Sequence, residues 1–263
     1  MDIRLLTPAD LKALMRLKDA AGWNQTEGDW LRLMQLEPHG CFGIDVDGQL
    51  AASATVVCYA RQLAWIGMVL TIPEHRGKGL AKALVERCLK YSGKRITRLD
   101  ASDMGKPLYT SMGFVEGCAI ERWLRQPAPC DRPYLNVEPR QNYPLDTEVC
   151  GVDRQDLLMA LSMYESTGLG RGYAFGRPGT TAAYFGPCSA ESSDDAQDLL
   201  RWFLNNHQED QVFWDLFPDN KAARHLAHEH GFVPERRLTR MVLRAEPALP
   251  DQRIYAIAGF EYG

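Results

Sequence analysis

The sequence predicts an α/β fold, a mixed α+β sheet covered by helices, present as two similar copies in tandem. Three observations predict it. Apolar runs of strand length alternate with stretches whose apolar residues recur every three or four positions. A glycine-rich basic stretch, "PEHRGKGLAKAL" at 73–84, joins a strand to an amphipathic helix. Late in the chain, "DNKAARHLAHEHGFVPE" repeats "SDMGKPLYTSMGFVEG" at a constant offset, with Ser102 on Asn220, Tyr109 on Ala227 and Gly113-Phe114 on Gly231-Phe232. That interval far exceeds a solenoid unit, so two related domains are the simplest account.

The elements follow in order. "IRLL" reads as a strand, and Thr7, Pro8 and Asp10 supply a cap, a first-turn proline and an acid for the helix after it. Thr26 and Asp29 repeat the device for a second helix. "CFGIDVDGQLAASATVV" is a hairpin about Asp47-Gly48, a pair that tolerates positive φ. "LAWIGMVLT" (63–71) is apolar nearly throughout, a strand covered on both faces. From Leu80, the residues Leu84, Cys88 and Tyr91 mark one helical face. "ITRLD" is a strand, "KPLYTSMGF" a short helix stopped at Gly113, and "AIERWLR" a last strand. The predicted domains are 1–127 and 148–263, joined by a proline-bearing linker at 128–147.

Composition bounds the function. The 263 residues are 45% apolar and 24% charged, ordinary for a globular chain. A net charge of −4 offers nucleic acid and acidic membranes no global attraction, so neither is an expected partner. No apolar run approaches the ~18 residues of a membrane span. The opening "MDIRLLTPADLK" carries charges where a signal peptide needs an apolar stretch, and reads as mature protein. Seven cysteines without a CxxC pair suggest reduced thiols and a cytoplasmic location. His225, His228 and His230 have neither HExxH nor zinc-like spacing, and no metal is expected.

The loop after the 63–71 strand suits an anion. Gly77 and Gly79 let the main chain approach closely, Arg76 and Lys78 add field, and the helix start supplies unpaired amides. A Walker loop is excluded because Gly79, not Ser or Thr, follows Lys78; a dinucleotide fingerprint is excluded because its third glycine position is Lys82.

Strand, "RGKGLA", amphipathic helix, strand and then "LYTSMGF" together resemble the GNAT superfamily of acyl-CoA-dependent N-acyltransferases, across roughly residues 1–125. Arg76, Gly79 and Ala81 match the family's Q/R-x-x-G-x-G/A loop. The resemblance implies that acetyl-CoA is the co-substrate. Val69, Leu70 and Thr71 are then expected along its pantetheine arm, and the stretch Arg76, Gly77, Lys78, Gly79, Leu80 and Ala81 at its pyrophosphate. Tyr109 matches the general acid that protonates the departing thiolate. Ser102 stands where the family often has Asn, which leaves that cofactor contact open.

The resemblance supplies no general base, since "LAWIGMVLT" holds no carboxylate. Asp100 is the leading candidate; Asp103, Glu74 in a solvated role and a water chain are the alternatives. Trp23 and Asn24, with Trp30 as core, are expected near the acceptor, and Arg171, Tyr173 or Arg177 could join from the second copy. That copy is degenerate: Asp194 and Asp195 fill the first turn of its helix, no RxxGxG/A precedes it, and Ala227 replaces Tyr109. The expected function is acetyl transfer to a primary amine, with a small molecule as acceptor and the chain as monomer or homodimer. The rivals are an acyl-CoA-binding sensor without turnover and a protein N-acetyltransferase.

Overall fold

The computed structural model describes residues 2–130, 137–138 and 143–263. The first half runs β1 (Ile3–Leu5), α1 (Leu11–Ala20), α2 (Glu27–Leu36), β2 (Cys41–Val46), β3 (Gln49–Tyr59), β4 (Leu63–Thr71), α3 (Leu80–Ser92), β5 (Ile96–Ala101), α4 (Lys106–Ser111) and β6 (Val115–Arg125). The second half repeats it as α5 (Pro144–Cys150), α6 (Gln155–Leu161), β7 (Glu165–Leu169), β8 (Gly172–Arg177), β9 (Ala183–Ser189), α7 (Ser193–Asn206), β10 (Val212–Leu216), α8 (Lys221–Glu229) and β11 (Val233–Leu243). A short β12 (Ile254–Ala256) ends the series. Among the described residues, α5 begins inside the stretch predicted as linker, while 131–136 and 139–142, with Pro133 and Pro139, lie outside them.

Local chemistry explains the elements. The Thr26 main-chain N–H donates to Asp29 Oδ2 at 2.7 Å, which closes the capping box of α2. Val46 pairs with Gln49 across the Asp47-Gly48 turn. Helix α3 buries Leu80, Leu84 and Cys88, along with Val85, against the sheet. Each such side chain contributes about 1.5–3 kcal/mol if fully removed from water.

The two halves share one sheet, in the order β1-β2-β3-β4-β5-β11-β6-β10-β9-β8-β7. Each half gives its last long strand to the other: β11 pairs with β5, β6 pairs with β10, and the two exchanged strands pair antiparallel at the centre. By sequence the strand ending at Arg125 closes the first domain. The exchange places it instead as a strand of the second half's sheet. A buried fork fixes the crossing, with Arg122 Nε and Nη2 donating to Asp215 at 2.8 and 2.7 Å. Trp30, Trp65, Tyr143, Phe175 and Tyr262 fill one core drawn from both halves.

Candidate active site

Strand β4 departs from its neighbour. It pairs in parallel with β5 only from Leu63 to Trp65, opposite Ile96 to Arg98. Beyond Trp65 the edge facing β5 carries no ladder among the described residues. On the other edge the β3 register slips between Ser53 and Thr55, and Met68 adopts φ 49°. A left-handed φ at a residue other than glycine costs roughly 1–2 kcal/mol, and such bulges cluster beside functional sites. The Ser53 hydroxyl donates to the Met68 carbonyl at 2.9 Å and holds the bulge. Splayed strands leave a cleft whose β4 wall bears main-chain donors and acceptors from Gly67 to Thr71; the buried Thr71 hydroxyl also lacks a partner among the described residues.

The loop 73–79 closes one end of the cleft. Gly77 and Gly79 have φ 73° and 81°, and Gly79 caps α3 in the left-handed region. A Cβ built on Gly77 meets nothing within 4 Å. The amides of Gly77, Lys78 and Gly79 have no acceptor among the described residues. Arg76 is exposed and donates from Nε to Thr71 O at 3.3 Å; Lys78 Nζ lies 2.9 Å from His75 Nδ1. Free amides, open space above glycine and two cations fit a diphosphate.

At the other end lies a cavity of about 70 Å³. Its wall includes Gly67, Met68 and Val69 of β4, Trp23, Ser102 and Tyr109. Tyr109 is buried on α4, edge-on to Phe114 with ring centroids 6.0 Å apart. Its hydroxyl has no hydrogen-bond partner among the described residues, and burial pushes the phenol above its usual range. Ser102 accepts from the Gly105 amide at 3.3 Å.

Several expected residues are engaged elsewhere. Asp100 lines the cavity, but its side chain is fully buried and both oxygens accept from Arg240, at 2.9 and 3.0 Å. Burial raises its carboxyl while Arg240 opposes the shift. A carboxylate held in its own guanidinium fork is a tie between β5 and β11 rather than the free base expected. Asp103 and Glu74 are exposed. Asn24 is engaged by the second half: its Nδ2 donates to Ala182 O, and its Oδ1 accepts from the Thr181 amide and hydroxyl and the Ala182 amide. It clasps the halves, with its oxygen and one of its two amide hydrogens committed to that contact. Trp30 is buried core, as expected.

Of the second-half candidates, Arg171 is exposed between Glu148 and Glu191, and Tyr173 is buried against Asp146 and Ser189. Arg177 is buried and reaches the site only through another residue. Its Nη2 donates to Glu261 Oε1 at 3.0 Å, and its Nε lies 3.4 Å from Asp29 Oδ1. Glu261, Phe260, Arg236 and Leu238 form the second-half wall, none of them foreseen. A signal existed only for Leu238, which the repeat aligns with Ile120. A larger cavity of about 260 Å³ lies between the halves around Trp65, Arg98 and Phe217, but touches neither Tyr109 nor the loop.

In the second half the equivalent cleft is filled. Strands β9 and β10 pair only from Ala183 to Phe185, and farther along β12 pairs with β9 instead. The Trp214 indole donates to Tyr255 O and the Ile257 amide to Asp215 O. The chain's own main chain thus occupies the groove that stays open between β4 and β5. Ser192 caps α7 by accepting from the Asp195 amide, so that helix start is already satisfied.

Family models agree with the repeat. An acetyltransferase (GNAT) domain model matches residues 143–256, and another matches residues 37–116. The chain is a tandem of two GNAT acetyltransferase domains. Among solved structures, a candidate acetyltransferase of Pyrococcus horikoshii superposes over 100% of this GNAT chain and 95% of its own, with TM-score 0.86 at 20% identity. A tandem GNAT protein from the clavulanic acid biosynthesis pathway covers 94% of this chain and 99% of its own, with TM-score 0.62 at 14% identity. At these identities the likeness is one of fold. A curated relative, holothin acyltransferase of a Pseudoalteromonas species, is 30% identical over 96 residues, which are 36% of this GNAT chain. The chain matches only 33% of that relative's length. No helix among the described residues is long and apolar enough to cross a membrane.

Proposed function

We propose that the chain transfers an acetyl group from acetyl-CoA to the primary amine of a small molecule. The observation that carries this reading is the open cleft between β4 and β5, with unpaired loop amides at one end and the Tyr109 hydroxyl at the other. The edge of β4 from Gly67 to Thr71 offers ladder-like hydrogen bonds to the pantetheine amides. The amides of residues 77–79 and the field of Arg76 and Lys78 hold the pyrophosphate.

A bound acyl-CoA supplies an activated thioester carbonyl. In this reading a main-chain amide near Val69, beside the Met68 bulge, donates to the charge that develops on the carbonyl oxygen. Tyr109, kept protonated by burial, gives its proton to the departing sulfur. No covalent enzyme intermediate is required, and the buried Cys88 and Cys188 have thiols pushed well above their usual range, unsuited to nucleophilic attack. The small cavity and its two-half wall favour a metabolite over a folded protein's side chain.

The test is thiol release from acetyl-CoA across a panel of amines. Acceptor-dependent release that falls in Tyr109→Phe supports the reading. Tight acetyl-CoA binding without release from any amine means a sensor instead.

A further inference from the structure

The charges around the acceptor cavity come in matched sets, with one exception. Asp100 pairs with Arg240 and Asp215 with Arg122. Asp29 and Glu261 share Arg177, and Arg32 Nη1 donates to Asp29 at 2.7 Å. Two carboxylates therefore meet two guanidiniums. The remaining cation is Arg236. It lies half-buried on β11, register partner of Arg122, and has no hydrogen-bond or ion-pair partner among the described residues. Burial and the neighbouring Arg122 lower its pKa, against a weaker opposing pull from the Asp215 and Glu235 carboxylates, neither of which forms an ion pair with it. A partly desolvated, unpaired guanidinium on a cavity wall is unfavourable until an anion joins it.

Glu261 lines the same cavity. Its tail segment runs against β4, where a Cβ on Gly67 would lie 2.8 Å from the Glu261 Cα. Its Oε1 accepts from Arg177 and its Oε2 from Gln25 Nε2 at 2.9 Å. The carboxylate also accepts from its own main-chain amide, and of its four lone pairs one stays free for a proton. Unlike Asp100, it shares its guanidinium with a second carboxylate.

Resting on the acyltransferase reading above, we propose that the acceptor is an amine that also bears a carboxylate, held by Arg236, while Glu261 takes the proton of its ammonium. Glu261 accepts one proton from the ammonium nitrogen. That nitrogen then forms its bond to the acyl carbon as the carbon–sulfur bond breaks. The sulfur receives the Tyr109 proton, the second nitrogen proton returns to the Tyr109 oxygen, and Glu261 releases its proton to solvent. The charged and titratable groups facing Glu261 are Arg177, Asp29, Arg122 and the phenols of Tyr59, Tyr184 and Tyr262. Burial holds the Glu261 carboxyl above its ordinary range against the pull of Arg177, which suits a base.

The test compares amino acids with their amides as acceptors, by kcat/KM for thiol release. The carboxylate form is expected to exceed the amide on the order of 10²-fold. Arg236→Gln should erase that preference by lowering only the carboxylate form, and Arg236→Lys should restore part of it. Glu261→Gln should lower kcat/KM for both and remove the acid limb of its pH profile. Amides used as well as acids, or an Arg236→Gln loss equal for both, overturns the proposal. If no amine is turned over, calorimetric titration of the coenzyme A-saturated chain with each pair decides. Acid-selective binding lost in Arg236→Gln upholds the pocket and sinks only the acyltransferase reading, while indifferent binding sinks the pocket.

Discussion

Gly67 of β4 and Glu261 of the carboxyl-terminal tail lie in main-chain contact: a Cβ at Gly67 would stand 2.8 Å from the Glu261 Cα and 3.0 Å from its carbonyl oxygen. The bulged strand of the first half and the tail of the second therefore fix one another. Gly67→Ala must displace main chain rather than a flexible side chain, at a cost of about 1–3 kcal/mol. Thermal melts should record that loss. Acetyl transfer should fall further than stability does, because the tail carries Glu261.

Tyr109→Phe keeps the ring against Phe114 and deletes only the unpartnered hydroxyl. The expected outcome is a kcat lower by roughly 10²–10⁴-fold with acetyl-CoA affinity unchanged. Rapid-quench and binding measurements on the same sample check both. An equal loss in affinity would make Tyr109 a packing residue.

Gly79→Ala tests the loop. Gly79 starts α3 at φ 81°, where an alanine costs roughly 1–2 kcal/mol. The distorted helix start should weaken acetyl-CoA binding in calorimetry at least as much as charge reversal of exposed Lys78 does. Unaltered affinity in both variants would remove the loop from the site.

The strand exchange is tested at Arg122. Arg122→Met leaves the fully buried Asp215 without its fork and should destabilise by about 3–5 kcal/mol in urea unfolding. Adding Asp215→Leu should recover most of the loss. If the double variant is as unstable as the single one, the fork is not what locks the crossing.

His207 predicts a pH dependence of stability. Burial draws its pKa down, but hydrogen bonds to Glu165 at 2.9 Å and Asp210 at 2.7 Å raise it overall. A pKa raised in the folded state stabilises fully below the unfolded value of about 6.5 and is lost as pH rises through the folded value. Unfolding free energy should decline across that window, and His207→Gln should flatten the decline.

The amino-acid sequence by itself determined the local pieces. The caps at Thr7 and Thr26, the Asp47-Gly48 turn, the Leu80 face of α3 and the loop glycines depend on neighbours a few residues away, so their physics is written in adjacent letters. It also determined the repeat, and with it the loss of Tyr109's counterpart at Ala227. The tertiary structure alone decided which strand each edge receives. The strands ending at Arg125 and Leu243 are equivalent by repeat, and either could close either half; the packing of Arg122 on Asp215 and of Arg240 on Asp100, seen only in the folded chain, ties each to the opposite half. The same holds for the wall of the acceptor cavity. Nothing near Glu261 or Arg236 in the sequence carries a motif, because their roles come from contact with Gly67, Gln25 and Arg177, brought close by a sheet that runs through both halves.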